Sequence, residues 1–331
     1  MIPSASHSWQ PISGAPFGAL IAALCLSQSV NGQTYPSKPI RAISQFGSGA
    51  SGDLASRIVL TPMSEILGQP VVVENRPGAT GLVAAEPVAR AAPDGYTLLV
   101  SSPSQLVRFA AGVRGKVDPV KDFTPIFPVG DNPTGIFINP SLPVNSFKEL
   151  LDYARANPTK LSYGTSGIGS KSHLAAESIQ QLTGVRMVHI PYKVGNQALL
   201  DVMAGQLPVS LSISDLALPH LKAGKVKALA MLGGRSPEFP GVPAVAEVVS
   251  AFIAPPSWVG FSGPANLPAA IVKRLSDAAT KAIRSPEAAA KMQSIGYEVW
   301  AYPPEEFAAM IKRDVEVIAR IIRESNIKIE D

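Results

Sequence analysis

Two glycine- and serine-rich turns, each set between a short apolar run and a helix-like stretch, constrain this chain more than any other feature. The first is Q-F-G-S-G-A-S-G-D, Gln45 to Asp53, and the second is Y-G-T-S-G-I-G-S-K-S-H, Tyr163 to His173. Glycine lets backbone N–H groups converge on one point, and the helix that follows adds unsatisfied donors and a partial positive charge. One such turn is an anion site of unspecified purpose. Two, about one domain apart, predict a ligand gripped from both sides of a cleft.

The chain has 331 residues, enough for two domains that each bury a core. Charged residues are 16% of it, against about 25% in an ordinary globular chain. The 31 prolines predict many firm turns. The net charge of +4 comes from basic residues interspersed with acidic ones, with no Lys/Arg stripe and no aromatic-interleaved basic run, so a nucleic-acid partner is not expected.

The first 32 residues contain no Lys, Arg, Asp or Glu, and Ala15 to Leu26 is a continuous small or apolar stretch. That run is too short to span a bilayer and suits the core of a signal peptide, with Val30 and Gly32 as the small residues before a cut after Gly32. Cys25 is the only cysteine, and Leu24 before it is too large for a lipoprotein cleavage site. The mature chain is therefore expected to be free of cysteine, unlipidated, not inserted in the membrane and located in a bacterial periplasm.

From Tyr35 the pattern alternates between strand and helix. Ile40 to Phe46, Val71 to Glu74 and Tyr96 to Val100 read as strands, and Asp53 to Leu67 as a helix in which Thr61-Pro62 caps a restart or makes a kink. Phe127 to Asn139, with Pro128, Gly130 and Pro133, reads as a crossover into a second unit. There Ser146 to Ala156 is a helix with a capping box of Ser146 and Glu149, and Leu161 to Tyr163 is a strand. A helix follows from about Ser172 to Leu182, then strands near Val188 to Ile190, Val209 to Ile213 and Val226 to Leu232. Pro255 to Gly263 reads as the return connection, Ser285-Pro286 opens a helix, and Ile311, Val315, Ile318 and Ile322 stripe the last one. The alternation argues for a mostly parallel α/β sheet.

Several motifs compete for the glycines. Gly47, Gly49 and Gly52 spell G-x-G-x-x-G after a strand and before a helix, and Glu74 follows at the end of the next strand, as in a dinucleotide site. An NAD-dependent oxidoreductase is the different-class alternative, although no hydride-transfer residue is evident and the second turn has no role in it. That turn nearly spells a P-loop, but Ser170 separates Gly169 from Lys171. Ser51 and Ser166 both miss the second glycine of a nucleophile elbow. His173, His189 and His220 lack metal-ligand spacing, so neither metal nor cofactor is expected. His173, at a helix start, touches a ligand or merely caps and packs; His189 reads as a core histidine. Asp53 favours the helix dipole, receives a ligand donor, or orients its loop.

The chain from Tyr35 onward resembles the periplasmic solute-binding proteins of the tripartite tricarboxylate transporter family, also called Bug receptors. The resemblance rests on Y-P-S-K-P-I-R (Tyr35 to Arg41), G-Q-P-V-V-V-E-N-R-P-G-A (Gly68 to Ala79), A-A-P-D-G-Y-T-L-L (Ala91 to Leu99), D-P-V-K-D-F (Asp118 to Phe123), H-I-P-Y-K (His189 to Lys193) and P-H-L-K-A-G-K (Pro219 to Lys225). It implies an α/β two-domain Venus-flytrap fold, non-enzymatic and expected to be monomeric. Residues 33–132 and 255–331 would form the first domain and 133–254 the second, with a small carboxylate held between them by amides, hydroxyls and water. The implied partners are membrane transporter subunits or, alternatively, a sensor protein reading the ligand state.

By position, the resemblance points to Phe46, Ser48, Gly49, Ser51, Asp53 and Ser102 on one side of the ligand. On the other it points to Thr165, Ser166, Gly167, Ser170, His173, Pro191, Tyr192 and Ser212. The chain departs from the family pattern at Gln45, where proline is usual, and at Gly52, where Thr or Ser is usual. Pro208 and Ser212 stand where two acids are frequent, and the region after Ser102 is one residue short. With those acids missing, a plain or hydroxy carboxylate is expected to suit the pocket better than an amino acid.

Overall fold

The computed structural model describes residues 35–113, 115–192 and 197–327. The expected signal segment, with Cys25 and Gly32, and Lys193 of the H-I-P-Y-K motif lie outside them. Two sheets carry the architecture. The first has six strands in the order β11-β4-β10-β3-β1-β2, drawn from β1 (Ile40–Ser44), β2 (Val71–Asn75), β3 (Thr97–Ser101), β4 (Phe123–Asp131), β10 (Val259–Pro264) and β11 (Glu298–Val299). The second has five in the order β7-β6-β8-β5-β9, from β5 (Thr134–Ile138), β6 (Ser162–Thr165), β7 (Val188–Pro191), β8 (Val209–Ile213) and β9 (Lys227–Met231).

The expectation of mostly parallel sheets needs correcting: both are mixed. β1 is parallel to β2 and β3, and β6 to β7 and β8, whereas β10 runs antiparallel to β3 and β4, and β5 antiparallel to β8 and β9. The cause is the double passage of the chain, which leaves the first sheet after β4 and re-enters at β10 from the opposite end. The crossover is also shorter than expected. Phe127 to Asn139 is mostly strand, and only Asn132-Pro133 joins β4 to β5. Pro125 and Pro128 fit inside β4 because β11 pairs only with Gly130 and Asp131, leaving the rest of that flank an edge without ladder donors to lose. The stretch read as the return connection likewise contains β10.

The strand–turn–helix units that matter are α1 (Ser51–Leu67) after β1 and α5 (Lys171–Thr183) after β6. α1 runs through Pro62 without restarting. It loses one backbone bond there and keeps its course because Val59, Leu60, Met63 and Leu67 are all buried. Of the other helices, α2 (Leu82–Ala89) packs Ala84, Ala85 and Val88 against Ile43 and Leu99 of the first sheet. α3 (Ser104–Ala110) follows β3.

Around the second sheet, α4 (Phe147–Ala156) and α5 cover one face through Phe147, Leu150, Ala175 and Ile179. α6 (Gln197–Met203) and α7 (Ser214–Lys222) cover the other through Ala198, Leu199 and Ala217. Ser146 caps α4 by accepting from the Glu149 amide, but the Glu149 carboxylate turns to the amide of Asn145, one residue before the reciprocal position of a capping box. α8 (Val245–Val248) precedes the return, and α9 (Ala269–Ile283) and α10 (Pro286–Ser294, capped by Ser285) follow it.

The terminal helix α11 (Pro304–Glu324) ties both halves together. Its Phe307, Ile311, Ile318 and Ile321 pack in one cluster with Leu106 and Val107 of α3, Leu174 of α5 and Trp258. Each such side chain contributes about 1.5–3 kcal/mol when fully buried. Among the described residues no helix is long and apolar enough to cross a membrane.

Candidate functional site

Loop one leaves β1 through Gln45. Its amide donates to the Val100 carbonyl at 3.0 Å, a bond that proline could not make. The Gln45 Nε2 donates to Ser102 Oγ at 2.5 Å and to Ser104 Oγ at 2.9 Å, which seats Ser102 beside the start of the loop. Phe46 folds its ring over Gly52, where a Cβ would stand 2.5 Å from the ring, so any side chain there would displace the ring. Gly49 turns the chain at φ +77, and Ser48 is exposed at the apex.

Asp53, 1% exposed, organises this loop. Its Oδ2 accepts the Gly49 amide at 3.0 Å and Arg57 Nε at 2.9 Å, while its Oδ1 accepts Asn75 Nδ2 at 2.7 Å. Asn75 also donates to the Phe46 carbonyl at 3.0 Å and accepts from Arg57 at 2.9 Å, closing a ring of three side chains. Burial alone would raise the Asp53 carboxyl, but the bonds from Arg57, Asn75 and Gly49 hold it below the ordinary carboxylate value. Three donors already occupy its two oxygens. Of the three roles open to Asp53 from sequence, the geometry fits the orienting one.

Loop two is organised without a carboxylate. Ser170 caps α5, accepting the His173 amide at 3.2 Å and donating to the Gly167 carbonyl at 2.7 Å. Ser172 Oγ meets Ser166 Oγ at 3.3 Å and Ser170 Oγ at 3.1 Å. Thr165, fully buried, places its hydroxyl 2.7 Å from His189 Nε2 and accepts the Gly167 amide at 3.2 Å. His173 Nδ1 accepts the Gly169 amide at 3.3 Å. Pro191 pairs with Thr165 along β6, and the Tyr192 ring packs on Gly164 with its hydroxyl bound to Asp201 at 2.7 Å. Ser212 is buried near the carboxyl end of β8, and its hydroxyl has no partner among the described residues.

The two helices meet at the crossing segment. Ser51, first residue of α1, accepts Asn132 Nδ2 at 2.8 Å and donates to Tyr297 at 3.3 Å. Lys171, first residue of α5, places its ammonium 3.3 Å from Asp131 Oδ2 and 3.4 Å from the Asn132 carbonyl. Gly169 lies against Thr80 and Val107 of the first half; a Cβ there would stand 3.5 and 3.6 Å from them. Sequence reasoning missed Arg57, Asn75, Asp131, Asn132 and Tyr297, and it considered Lys171 only as a P-loop lysine. Arg57, four residues after Asp53 on α1, stands at helical ion-pair spacing and was legible there. Nothing in local spacing signals the others, which come from β2, the end of β4, the crossover and the segment before β11.

The competing motifs find no support in this geometry. Glu74, the would-be ribose partner, is bound by Arg41 at 2.6 Å and Arg76 at 2.5 Å. Lys171 is ion-paired. Among the described residues no group of three or more His, Cys, Asp and Glu could hold a metal ion.

Two strand–turn–helix units from separate sheets, whose helix N-termini reach a single crossing segment, define a two-domain solute-binding protein of the Venus-flytrap type. Residues 55–327 match the family described as tripartite tricarboxylate transporter family receptor, and the chain belongs to that family. It is similar to BugT of Bordetella pertussis, 31% identical over 320 residues that cover 96% of this chain and 98% of BugT. Among solved structures it resembles Rpa4515 of R. palustris with adipate, with TM-score 0.79, 28% identity and coverage of 88% of this chain and 98% of that one. It also resembles MatC of Rhodopseudomonas palustris with bound malate, with TM-score 0.78, 26% identity and coverage of 87% and 100%. A solute-binding receptor of periplasmic type is therefore the function class.

Proposed function

We propose that this receptor captures a small carboxylate between loops one and two and delivers it to the membrane subunits of a tripartite tricarboxylate-type transporter. The observation that carries the reading is the convergence of Ser51 and Lys171, the first residues of α1 and α5, on Asp131-Asn132. First-turn amides have no intrahelical acceptor, and a helix end favours an anion. Three or four charge-assisted hydrogen bonds at about 1.5–3 kcal/mol each reach the roughly 8 kcal/mol that a micromolar complex needs. Adipate and malate, held by the similar proteins, are small carboxylates. Of the set named from sequence, Ser51 faces the ligand together with the first-turn amides of α1 and α5, while Asp53, Thr165 and His173 support from behind, because the Gly49, Gly167 and Gly169 amides are already bound to them. The domains divide as 33–132 with 255–331, and 133–254, and the mature periplasmic chain starts near Gln33.

The pocket favours a plain or hydroxy carboxylate over an amino acid. A desolvated ammonium needs a carboxylate partner. Asp53 is saturated by Arg57 and Asn75, Asp131 is paired with Lys171, and Ser212 is neutral. Thermal denaturation with a carboxylate panel tests both points. A ligand present at a hundred times its dissociation constant stabilises the fold by about 2.7 kcal/mol. At least one of malate, succinate and adipate should raise the Tm, succinate should exceed aspartate, and millimolar NAD or NADP should do nothing. A nicotinamide shift with a silent carboxylate panel would sink the reading.

A further inference from the structure

Beneath loop two lie two imidazoles, His173 from α5 and His189 from β7, with ring centroids 4.5 Å apart and planes tilted by 34°, and Tyr163 stacks on His189 at 5.1 Å. We propose that His173 and His189 are positioning residues of the ligand site. As neutral rings they hold loop two in shape, His173 by accepting the Gly169 amide and His189 through its hydrogen bond with Thr165, rather than by touching the ligand. The proposal rests on the reading of loop two as one jaw of the anion site.

The hydrogen-bond inventory decides the tautomer of His173. Gly169 N–H donates to His173 Nδ1, so that nitrogen carries no proton and the ring hydrogen sits on Nε2. The Thr165 hydroxyl has two partners within reach, His189 Nε2 at 2.7 Å and the Gly167 carbonyl at 3.4 Å. Either tautomer of His189 satisfies the shorter contact, because Thr165 Oγ1 has two lone pairs and receives the Gly167 amide in both cases. The two imidazoles thus reach the two glycines that turn the loop, Gly167 at φ +106 and Gly169 at φ +75. Ile168 between them is thrust outward, 60% exposed. Protonating His173 would set its Nδ1–H against the Gly169 N–H and release that turn.

The surroundings keep both rings neutral. Burial pushes His173 below the ordinary imidazole value, opposed by Glu177 one turn along α5. Burial, and then the neighbouring His173, push His189 down to about 4. Glu177 is itself engaged by Tyr163 of β6, at 2.5 Å, and by Gln180, while α3 meets this end of α5 with apolar Leu106 and Val107. α11 packs on α5 through Ile318 and Ile321. The unfolded chain takes up protons near pH 6.5, the folded rings only at lower pH. Loop order is therefore complete above about pH 6.5 and is lost as the pH falls through the lowered His173 value.

Two measurements on the ligand-free protein test this. Imidazole nitrogen NMR at neutral pH should show His173 protonated on Nε2 and both rings uncharged. Amide hydrogen exchange should show Gly169 opening about tenfold to a hundredfold faster in His173→Phe, the cost of losing a buried acceptor. His173→Asn, whose side-chain oxygen can stand in for Nδ1, should recover most of that protection. Malate affinity should fall in the phenylalanine variant and recover in the asparagine variant. A wild-type His173 ring protonated on Nδ1, or an asparagine variant that exchanges as fast as the phenylalanine one, overturns the proposal. So does restored protection without restored malate affinity, which would mark His173 as a direct ligand contact. Because exchange is read without ligand, a wild-type protein that ignores malate would count against the carboxylate reading while leaving the positioning test intact.

Discussion

Loops one and two do the same mechanical work with opposite chemistry. Each must hold glycines in left-handed conformations ahead of a helix N-terminus. Loop one does so with charge, a buried carboxylate locked by Arg57 and Asn75. Loop two does so with neutral groups, the hydroxyls of Thr165, Ser170 and Ser172 and the two imidazoles. The contrast shows what an anion site tolerates. A negative charge behind loop one is compatible with an anionic ligand because the Arg57 guanidinium cancels it at 2.9 Å. Among the described residues loop two has no such counter-ion behind it, its own scaffold is neutral, and Lys171 is turned to Asp131.

The comparison breaks most readily at Asp53. Asp53→Asn leaves Arg57 without its carboxylate and turns an amide against the Gly49 N–H. Losing one partner of a buried pair costs about 3–5 kcal/mol. Here about 2–3 is expected, because Arg57 remains 41% exposed to solvent. Urea unfolding reads the loss, and carboxylate affinity should fall with it. A variant as stable as the parent would show that the ring of Asp53, Arg57 and Asn75 is ornamental.

A smaller and sharper effect is expected at Ser170, where stability and binding should part company. Aspartate caps a helix as well as serine does, so Ser170→Asp should leave unfolding within about 1 kcal/mol of the parent. It also brings an uncompensated negative charge into the neutral loop, so succinate or malate affinity should drop by about tenfold or more. Ser170→Ala should do the reverse, costing about 1 kcal/mol of stability with a milder loss of affinity. Calorimetric titration of both variants checks the pair, and equal affinities would show that loop two does not face the anion.

Much of this was legible in the sequence. The helices and most strands follow from periodicity and caps, and both loops announce themselves through glycines flanked by a strand and a helix start. Motif resemblance located the same two loops. The stretch from Phe127 to Asn139 hid its strands because Pro128, Gly130 and Pro133 read as loop residues, and only tertiary pairing shows that β4 has a free flank there. Parallel and antiparallel direction was equally hidden, since it depends on where the chain re-enters the first sheet. The supporting partners other than Arg57 were out of reach for the same reason. Asn75 lies 22 positions from Asp53, His189 24 from Thr165 and Asn132 81 from Ser51. No helical or strand period connects such pairs; the fold alone brings them together.

The central claim, that both loops grip one anion, is tested most directly by backbone amide NMR during titration with a binding carboxylate such as malate. The account predicts that amides from Gly47 to Ser51 and from Ser166 to Lys171 shift together, following one dissociation constant and one equivalent of ligand. Shifts confined to a single loop, or two loops titrating with separate constants, would contradict it.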